Sequence, residues 1–405
     1  MGKGIYFSKL KTEFTYMKKK VLLIAGLLSA VALVKGQSIP NKIDPGPFHD
    51  NAGHWYGIAD AHNMINPLPT QQRYLPNQLK QIADNMLLFQ KLDGGWPKNY
   101  DMFAVLSDEQ RSQVMSHKKD VNTTFDNGST YTQIRALAIA YANLKDPQYM
   151  KGVVRGLEFV LKAQYANGGW PQYFPLEKKY SKEITYNDGA MMGVVQLLSD
   201  IVVLKDPLYD FLDAKLRNRL EASYNKGVDC ILNTQIKDNG VLTAWCQQHD
   251  EKTLAPAWAR AYEPPSICNS ESVGIVEFLM GIDHPSQRVI TAVQSAISWF
   301  EKSKIMNTRV EKVKADAEKT PFRVSKSDRV VVIDSEAPPI WTRFYELNTD
   351  RPLFCNRDSK LVYSLAEVAR ERRDGYGWYT YAPQRVLDSY AKWQQKWVPG
   401  HNVLK

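Results

Sequence analysis

A mainly α-helical chain built from repeated helical hairpins is predicted by three observations. Apolar residues recur at helical spacing through most of residues 78 to 395. Trp96, Trp170 and Trp245 stand 74 and 75 residues apart, in turns of related sequence. Two Asp/Asn/Gly turns, one at Asp126 and one at Asp188, each open an apolar helix. A constant period of this kind marks a repeat array with about two helices per unit, whose equivalent loops gather at one end.

The elements follow in order. Residues 1–16 read as a misassigned start, because Met17 begins a second leader, MKKKVLLIAGLLSAVALVKGQ. Its basic Lys18–Lys20, its apolar run from Val21 to Val34 and the small residues before Gln37 predict a signal peptide over 17–36, cleaved near Gly36. The run is too short to favour a membrane span, so a periplasmic or secreted protein with no stable membrane insertion is expected. Residues 37–77, rich in Pro, Gly, Asn and His, predict an irregular arm. From 78 to 395 one catalytic-sized helical domain is expected, and 396–405 form a tail.

Within that domain, a helix over Gln78–Lys91 runs into DGGWPKNYD, and a second over Gly156–Gln164 runs into ANGGWPQYF. A degraded third copy, DNGVLTAWCQQHD, follows a helix ending near Thr234. Gly-Gly suits a tight C-terminal cap, Trp a plug between hairpins, and Pro a helix stop. Between Ile305 and Ile340 the run RVVVID predicts a short hairpin or small sheet, and helix returns over Lys360–Arg373.

Charge narrows the function. The chain carries +9, but residues 1–36 hold seven Lys and one Glu, so the remainder falls to +3, which does not argue for nucleic acid. Cys230, Cys246, Cys268 and Cys355 match no metal spacing and predict no particular disulfide. HExxH, paired CxxC, Walker and GxSxG patterns are absent.

Two carboxylates at similar loop-to-helix junctions, Asp126 and Asp188, can converge at one end of a helical array. The plainer reading of Asp126 is an N-cap. Arg260, three residues before Glu263 and followed by Pro264 and Pro265, sits in a third loop at that end, either for chemistry or as an ordinary ion pair with Glu263. Arg343, Arg351 and Arg357 lie among aromatic residues, which suits carboxylate recognition or cation–π packing.

The segments GGWPKNYD, TTFDNGSTYTQIRAL, ANGGWPQYFP, TYNDGAMMGVVQLL, WARAYEPPS, RFYELNTDRPLFCNRD and GYGWY, in this order over roughly residues 55 to 395, resemble the pectate lyases of polysaccharide lyase family 10. The resemblance implies an incomplete (α/α) toroid of helical hairpins with short β insertions and a groove across one end. It implies calcium (Ca2+)-dependent β-elimination of α-1,4-linked polygalacturonate by a monomer, giving 4,5-unsaturated oligogalacturonides. Carried over by motif, Asp126 and Asp188 contribute to the calcium and substrate site and Arg260 is the catalytic base. Arg343 or Arg351 binds a uronate carboxylate, with Asn127, Asn187 and Glu263 among the substrate-binding residues.

The residue types suit that chemistry. Elimination removes the proton on C5, beside the uronate carboxylate, and expels the glycosidic oxygen on C4. Calcium favours roughly six to eight oxygens, so two Asp cannot complete a shell, and weak binding is expected without substrate. Arginine is an awkward base, with a pKa above about 12, unless neighbouring cations in the bound complex push it down. Two rival readings use the same residues: an inverting glycosidase on an (α/α) barrel with Asp126 and Asp188 as acid and base, and a non-catalytic, secreted pectin-binding protein. Terpene cyclases share a QxxxGGW-like turn, but their Asp-rich motifs are missing.

Overall fold

The computed structural model describes residues 39–57 and 63–404. The leader expected over 17–36 lies outside them. From Asn41 onward the chain forms one compact unit.

The helices are α1 (His49–Gly57), α2 (Leu79–Phe89), α3 (Asp108–Ser116), α4 (Tyr131–Leu144), α5 (Pro147–Ala163), α6 (Ala190–Val202), α7 (Ala214–Thr234), α8 (Asn269–Met280), α9 (Gln287–Ser303), α10 (Arg370–Gly375) and α11 (Pro383–Trp397). Local chemistry sets their limits. Lys145 ends α4 in the left-handed region, and the Asp146 side chain then caps α5 by accepting from the Gln148 amide, with Pro147 in the first turn. That two-residue link makes α4 and α5 a tight hairpin.

α4, α6 and α8 bury residues around much of their circumference, whereas α5, α7 and α9 bury one stripe. Packing follows the same division: α4, α6, α8 and α11 succeed one another in an inner layer, and α2, α5, α7 and α9 in an outer one. The fold is mainly α, and its unit is an outer helix, a Trp-bearing turn and an inner helix.

That unit occurs four times. Trp96, Trp170, Trp245 and Trp341 are all fully buried. Each indole N–H donates to a carbonyl of the outer helix before it: Met86 at 2.7 Å, Val160 at 2.9 Å, Ile231 at 2.7 Å and Phe300 at 2.9 Å. The backbone repeats too. The amides of Thr124, Thr185 and Cys268 donate to the carbonyls of Trp96, Trp170 and Trp245, and Thr380 pairs with Trp341.

A glutamine locks each of the first three seams. The side-chain amide of Gln90 donates to the carbonyls of Gly94 and of Gly152 in α5. Gln164 does the same to Gly168 and to Ser223 in α7, and Gln235 to Thr243 and to Ala292 in α9. Each therefore joins its own turn to the next outer helix. In the fourth unit Lys304 follows the outer helix, where no further outer helix needs joining.

Insertions enlarge the units. An antiparallel hairpin, Thr308–Lys319 with Val324–Ile333, separates α9 from Trp341. A small antiparallel sheet runs in the order Leu361–Val362, Pro352–Cys355, Phe344–Tyr345, Ile267–Cys268 over its own core of Phe344, Leu353, Phe354 and Trp378.

Three expectations need correcting. Residues 37–77 are not wholly irregular, since they carry the helix α1. The helix expected over Lys360–Arg373 is a strand, a 3-10 turn at Leu365–Glu367 and the six-residue α10, because alternating small contacts to the sheet outweigh helical spacing there. Asp126 is not an N-cap: α4 begins after Thr130, and Asp126 lies in a separate 3-10 turn. All four cysteines are free and buried. Among the described residues no helix is long and apolar enough to cross a membrane.

Candidate active site

The turns entering α4 and α6 differ from ordinary helix starts in having left-handed residues. Asn127 has φ 50° and Asp188 φ 52°, each followed by a glycine with positive φ. Asn and Asp are the non-glycine residues that best tolerate this region. The residue before each turn, and in the third unit the first residue of α8, is pinned to the next unit: the Phe125 amide donates to the Gln172 carbonyl, Tyr186 to Gln247, and Asn269 to Arg343. All three acceptors stand two residues after the tryptophan of the next unit.

This register aligns Asp126 with Asn187 and Ser270, and Asn127 with Asp188 and Glu271. The two aspartates are therefore one step out of phase in equivalent turns. It also aligns Lys98, Gln172, Gln247 and Arg343, each two residues beyond its tryptophan.

A cavity of about 340 Å3 collects side chains from these turns: Lys98, Asp126, Asn127, Gln172, Asn187, Asp188, Gln248, Arg260 and Glu263, together with Tyr180, Asp50 and His54. Asp126 is buried. Its Oδ2 accepts from Lys98 Nζ at 2.7 Å, and its Oδ1 is buried without a partner. Burial opposes the charge on Lys98, but Asp126 and Tyr173 beside it hold the ammonium above its ordinary pKa. Asp188 Oδ2 accepts from Asn187 Nδ2 at 2.6 Å. Asp188 keeps solvent access, but crowding by the surrounding protein, and then the charge of Asp126, push its carboxyl up to about 7 despite the attraction of Arg260 and Arg343.

Arg260 and Glu263 form a two-pronged pair. The backbone N–H and Nε of Arg260 donate to Glu263 Oε2 at 3.0 and 2.8 Å, and Nη2 donates to Oε1. Tyr376 donates to the same Oε1 at 2.8 Å. Burial works against the Arg260 charge, yet Glu263 outweighs it and holds the guanidinium above its ordinary value. The lowered arginine pKa invoked for a base is thus not a property of the unliganded site. Nη1 has no hydrogen bond among the described residues, and the guanidinium lies 5.2 Å from the Tyr262 ring centre.

Arg343 lies beside this group. Its Nη2 donates to Glu271 Oε1 at 2.6 Å and to Asn187 Oδ1 at 3.1 Å, and its guanidinium covers the Tyr376 ring at 4.8 Å. Glu271 Oε2 accepts from the Cys268 thiol, so both its oxygens are engaged.

The structure thus brings Asp126, Asp188, Arg260, Asn127, Asn187, Glu263 and Arg343 to one end of the helical stack. It does not bring Arg351 there. That residue sits in the turn before Pro352–Cys355, with its guanidinium 3.8 Å from the centre of the Tyr363 ring. Glu263 and Asn187, expected to touch substrate, both line the cavity and hydrogen-bond Arg260, Asp188 and Arg343. Sequence reasoning missed Lys98, Glu271, Asp50 and His54. Register across the tryptophan turns would have found the first two.

The tightest acidic group among the described residues lies elsewhere. Glu183, Asp250 and Glu251 have oxygens within 4.8 Å of one another. Lys182 bridges Glu251 at 3.0 Å and Glu183 at 3.5 Å, and Asp250 accepts from the Lys252 and Thr253 amides, so these charges already have protein partners. Asp126, by contrast, keeps one buried oxygen with no hydrogen-bond partner among the described residues.

Comparison with known proteins shows the family. The family described as pectic acid lyase matches residues 90–387. A solved Asp-to-Ala variant of a family 10 polysaccharide lyase from Cellvibrio cellulosa, in complex with trigalacturonic acid, is similar to the chain at 30% identity and a TM-score of 0.67, covering 78% of this chain and 92% of that one. Another structure of a family 10 polysaccharide lyase from Cellvibrio cellulosa is similar at 30% identity and a TM-score of 0.66, covering 79% and 98%. No curated protein matches.

Proposed function

The chain belongs to the pectic acid lyase family and is a pectate lyase, and from that premise we propose that it cleaves α-1,4-linked polygalacturonate by calcium-assisted β-elimination, leaving 4,5-unsaturated oligogalacturonides. The observation that supports this reading is the convergence of Asp126, Asp188 and Arg260 in one cavity, with Arg343 hydrogen-bonded to Asn187 at its wall. A uronate chain needs both: arginine forks for its carboxylates and a cation-binding edge beside them.

Asp126 and Asp188 would hold the calcium ion, and they fit it: one is buried with an oxygen unpartnered, the other is destabilised as an anion by its neighbour. When bound, calcium neutralises the uronate carboxylate and makes the C5 hydrogen more acidic. Arg343, anchored by Glu271 and Asn187, receives a uronate carboxylate. Arg260, oriented by Glu263, presents Nη1 to the C5 hydrogen. The C5 proton passes to Nη1 only in the neutral form of the Arg260 guanidine and from there to solvent, the C5–H electrons form the C4–C5 double bond as the C4–oxygen bond breaks, and the departing oxygen takes a proton from solvent. Because Glu263 keeps Arg260 cationic at rest, the same guanidinium stabilises the enolate-like charge, and proton removal by it favours alkaline pH.

The same reading makes the helical stack, over 78–395, an incomplete (α/α) toroid acting as a monomer. The leader at 17–36 directs it to the periplasm or beyond.

The test is to incubate the mature protein with polygalacturonate at alkaline pH, with calcium or chelator, following ultraviolet absorbance and reducing ends together. Absorbance growth that chelator stops, and that falls at least a hundredfold in Arg260→Ala, is expected. Reducing ends without absorbance would mean hydrolysis, and silence in both would leave a binding protein.

A further inference from the structure

The arm before α2 lies outside the segment matched by the family, yet it is keyed to the turn that carries Asp126. Phe48 is buried with its ring 6.0 Å from that of Phe103, and Ile43 is buried as well. The Trp55 indole donates to the Ile65 carbonyl at 2.8 Å. Asn51 in α1 is fully buried: its Nδ2 donates to the Asn127 carbonyl at 2.8 Å and to Ser129 Oγ at 3.2 Å, and its Oδ1 accepts from the Asn99 amide at 2.8 Å. The Pro47 carbonyl comes within 2.9 Å of where a Cβ on Gly128 would stand, so that turn residue must be glycine for the arm to dock.

Docking has a consequence four residues on. Asp50 and His54 stand at i and i+4 on one face of α1, and both line the cavity that holds Asp126, Asp188 and Arg260. His54 Nδ1 is screened from solvent and has no hydrogen-bond partner among the described residues. A ring nitrogen without a partner, in a side chain that lines a polar cavity, is a group that a turn of the ring offers to a ligand.

We propose that the arm builds a sugar subsite of the lyase site, in which His54 Nδ1 bonds a ring hydroxyl of a galacturonate unit. Asp50 supplies the sign. Its carboxylate repels a uronate carboxylate, so the sugar unit beside α1 presents its hydroxyl edge there and turns its acid group toward Arg260 and Arg343. This rests on the pectate lyase reading for its substrate.

The test uses the mature chain with Arg260→Ala, so that no turnover disturbs binding, and titrates trigalacturonate by calorimetry in calcium buffer. Adding His54→Ala is expected to weaken affinity about tenfold, and His54→Asn, which restores a polar atom near Nδ1, to recover most of it. Circular dichroism and melting temperature should match the parent in both. Equal affinity in the His54→Ala background, or no rescue by Asn, overturns the proposal, as does a parent that binds no trigalacturonate. Failure of the underlying reading shows separately, as absence of ultraviolet absorbance from polygalacturonate with the unmutated protein.

Discussion

His249 shows how much a single buried residue fixes at the loop end of the stack. It is fully buried, and the Cys246 amide donates to its Nε2 at 3.1 Å, which leaves Nδ1 to carry the proton and donate to the Leu254 carbonyl at 2.9 Å. Protonating Nε2 would break the first of these bonds inside a dry interior, and burial accordingly lowers the imidazole to about 4 from 6.5. Unfolded His249 takes its proton near 6.5, so the unfolded chain binds more protons between the two values. Its contribution to stability is complete above about 6.5 and is lost as pH falls toward 4, by on the order of 2–3 kcal/mol. Urea unfolding at pH 7.5 and 4.5 checks this: His249→Gln should be the weaker protein at pH 7.5 and close most of the gap at pH 4.5, and parallel losses would refute it. At the active site the sequence was legible where a residue carried a local signal. Asp126, Asp188 and Arg260 stand in turns that announce themselves by glycine or proline. Lys98 and Glu271 carry no such signal, because what places them is pairing between units, and Asp50 and His54 enter through a helix whose own sequence reads as loop. Arg351 stands in an equally suitable motif but packs on Tyr363 outside the cavity lining, a placement that depends on the pairing of its hairpin rather than on any local signal.

At the scale of the element, the turn after each outer helix decides whether neighbouring units meet. Gly168 has φ +94°, and a Cβ there would stand 2.0 Å from the Lys226 carbonyl oxygen of α7, so the glycine is required both by conformation and by close approach. Gly240 shares the conformation, with φ +84°, but has nothing within 4 Å of its added Cβ. Gly168→Ala is therefore expected to destabilise the protein by about 3 kcal/mol or more, against about 1 kcal/mol for Gly240→Ala. Denaturant midpoints of the two variants measure the difference, and equal effects would mean that conformation alone matters and the seam does not. The three copies of this turn with readable spacing made the repeat visible in sequence. The fourth escaped because the hairpin spanning Thr308–Lys319 and Val324–Ile333 breaks the period before Trp341. The helix expected over 360–373 failed because a two-stranded contact to the small sheet outcompetes a short amphipathic pattern.

The whole molecule can be viewed as a relay of charges around the loop end, with one link missing. In the third unit Glu271 meets Arg343 of the fourth, two residues past Trp341. In the second unit the equivalent acid is Asp188, but the equivalent residue two past Trp245 is the neutral Gln247. Asp126 already has Lys98, through one oxygen only. Asp188 thus lacks a hydrogen-bonded cation of its own among the described residues, and desolvation, then the charge of Asp126, hold it protonatable near 7 although Arg260 and Arg343 attract it. A mobile cation would join the first two units as Arg343 joins the last two, so calcium should stabilise the fold as well as serve the chemistry. At ten times its dissociation constant the gain is about 1.4 kcal/mol, a rise in melting temperature of a degree or two for a chain of this size. Asp188→Asn, which keeps the left-handed turn and removes the disfavoured charge, should raise the calcium-free stability at pH 8 only slightly, by about 1 kcal/mol or less because solvent screens this exposed carboxylate, and abolish the calcium response. Thermal melts of both proteins with calcium and with chelator decide the matter. If Asp188→Asn keeps the full calcium response, the ion binds elsewhere, and the group of Glu183, Asp250 and Glu251 becomes the place to look.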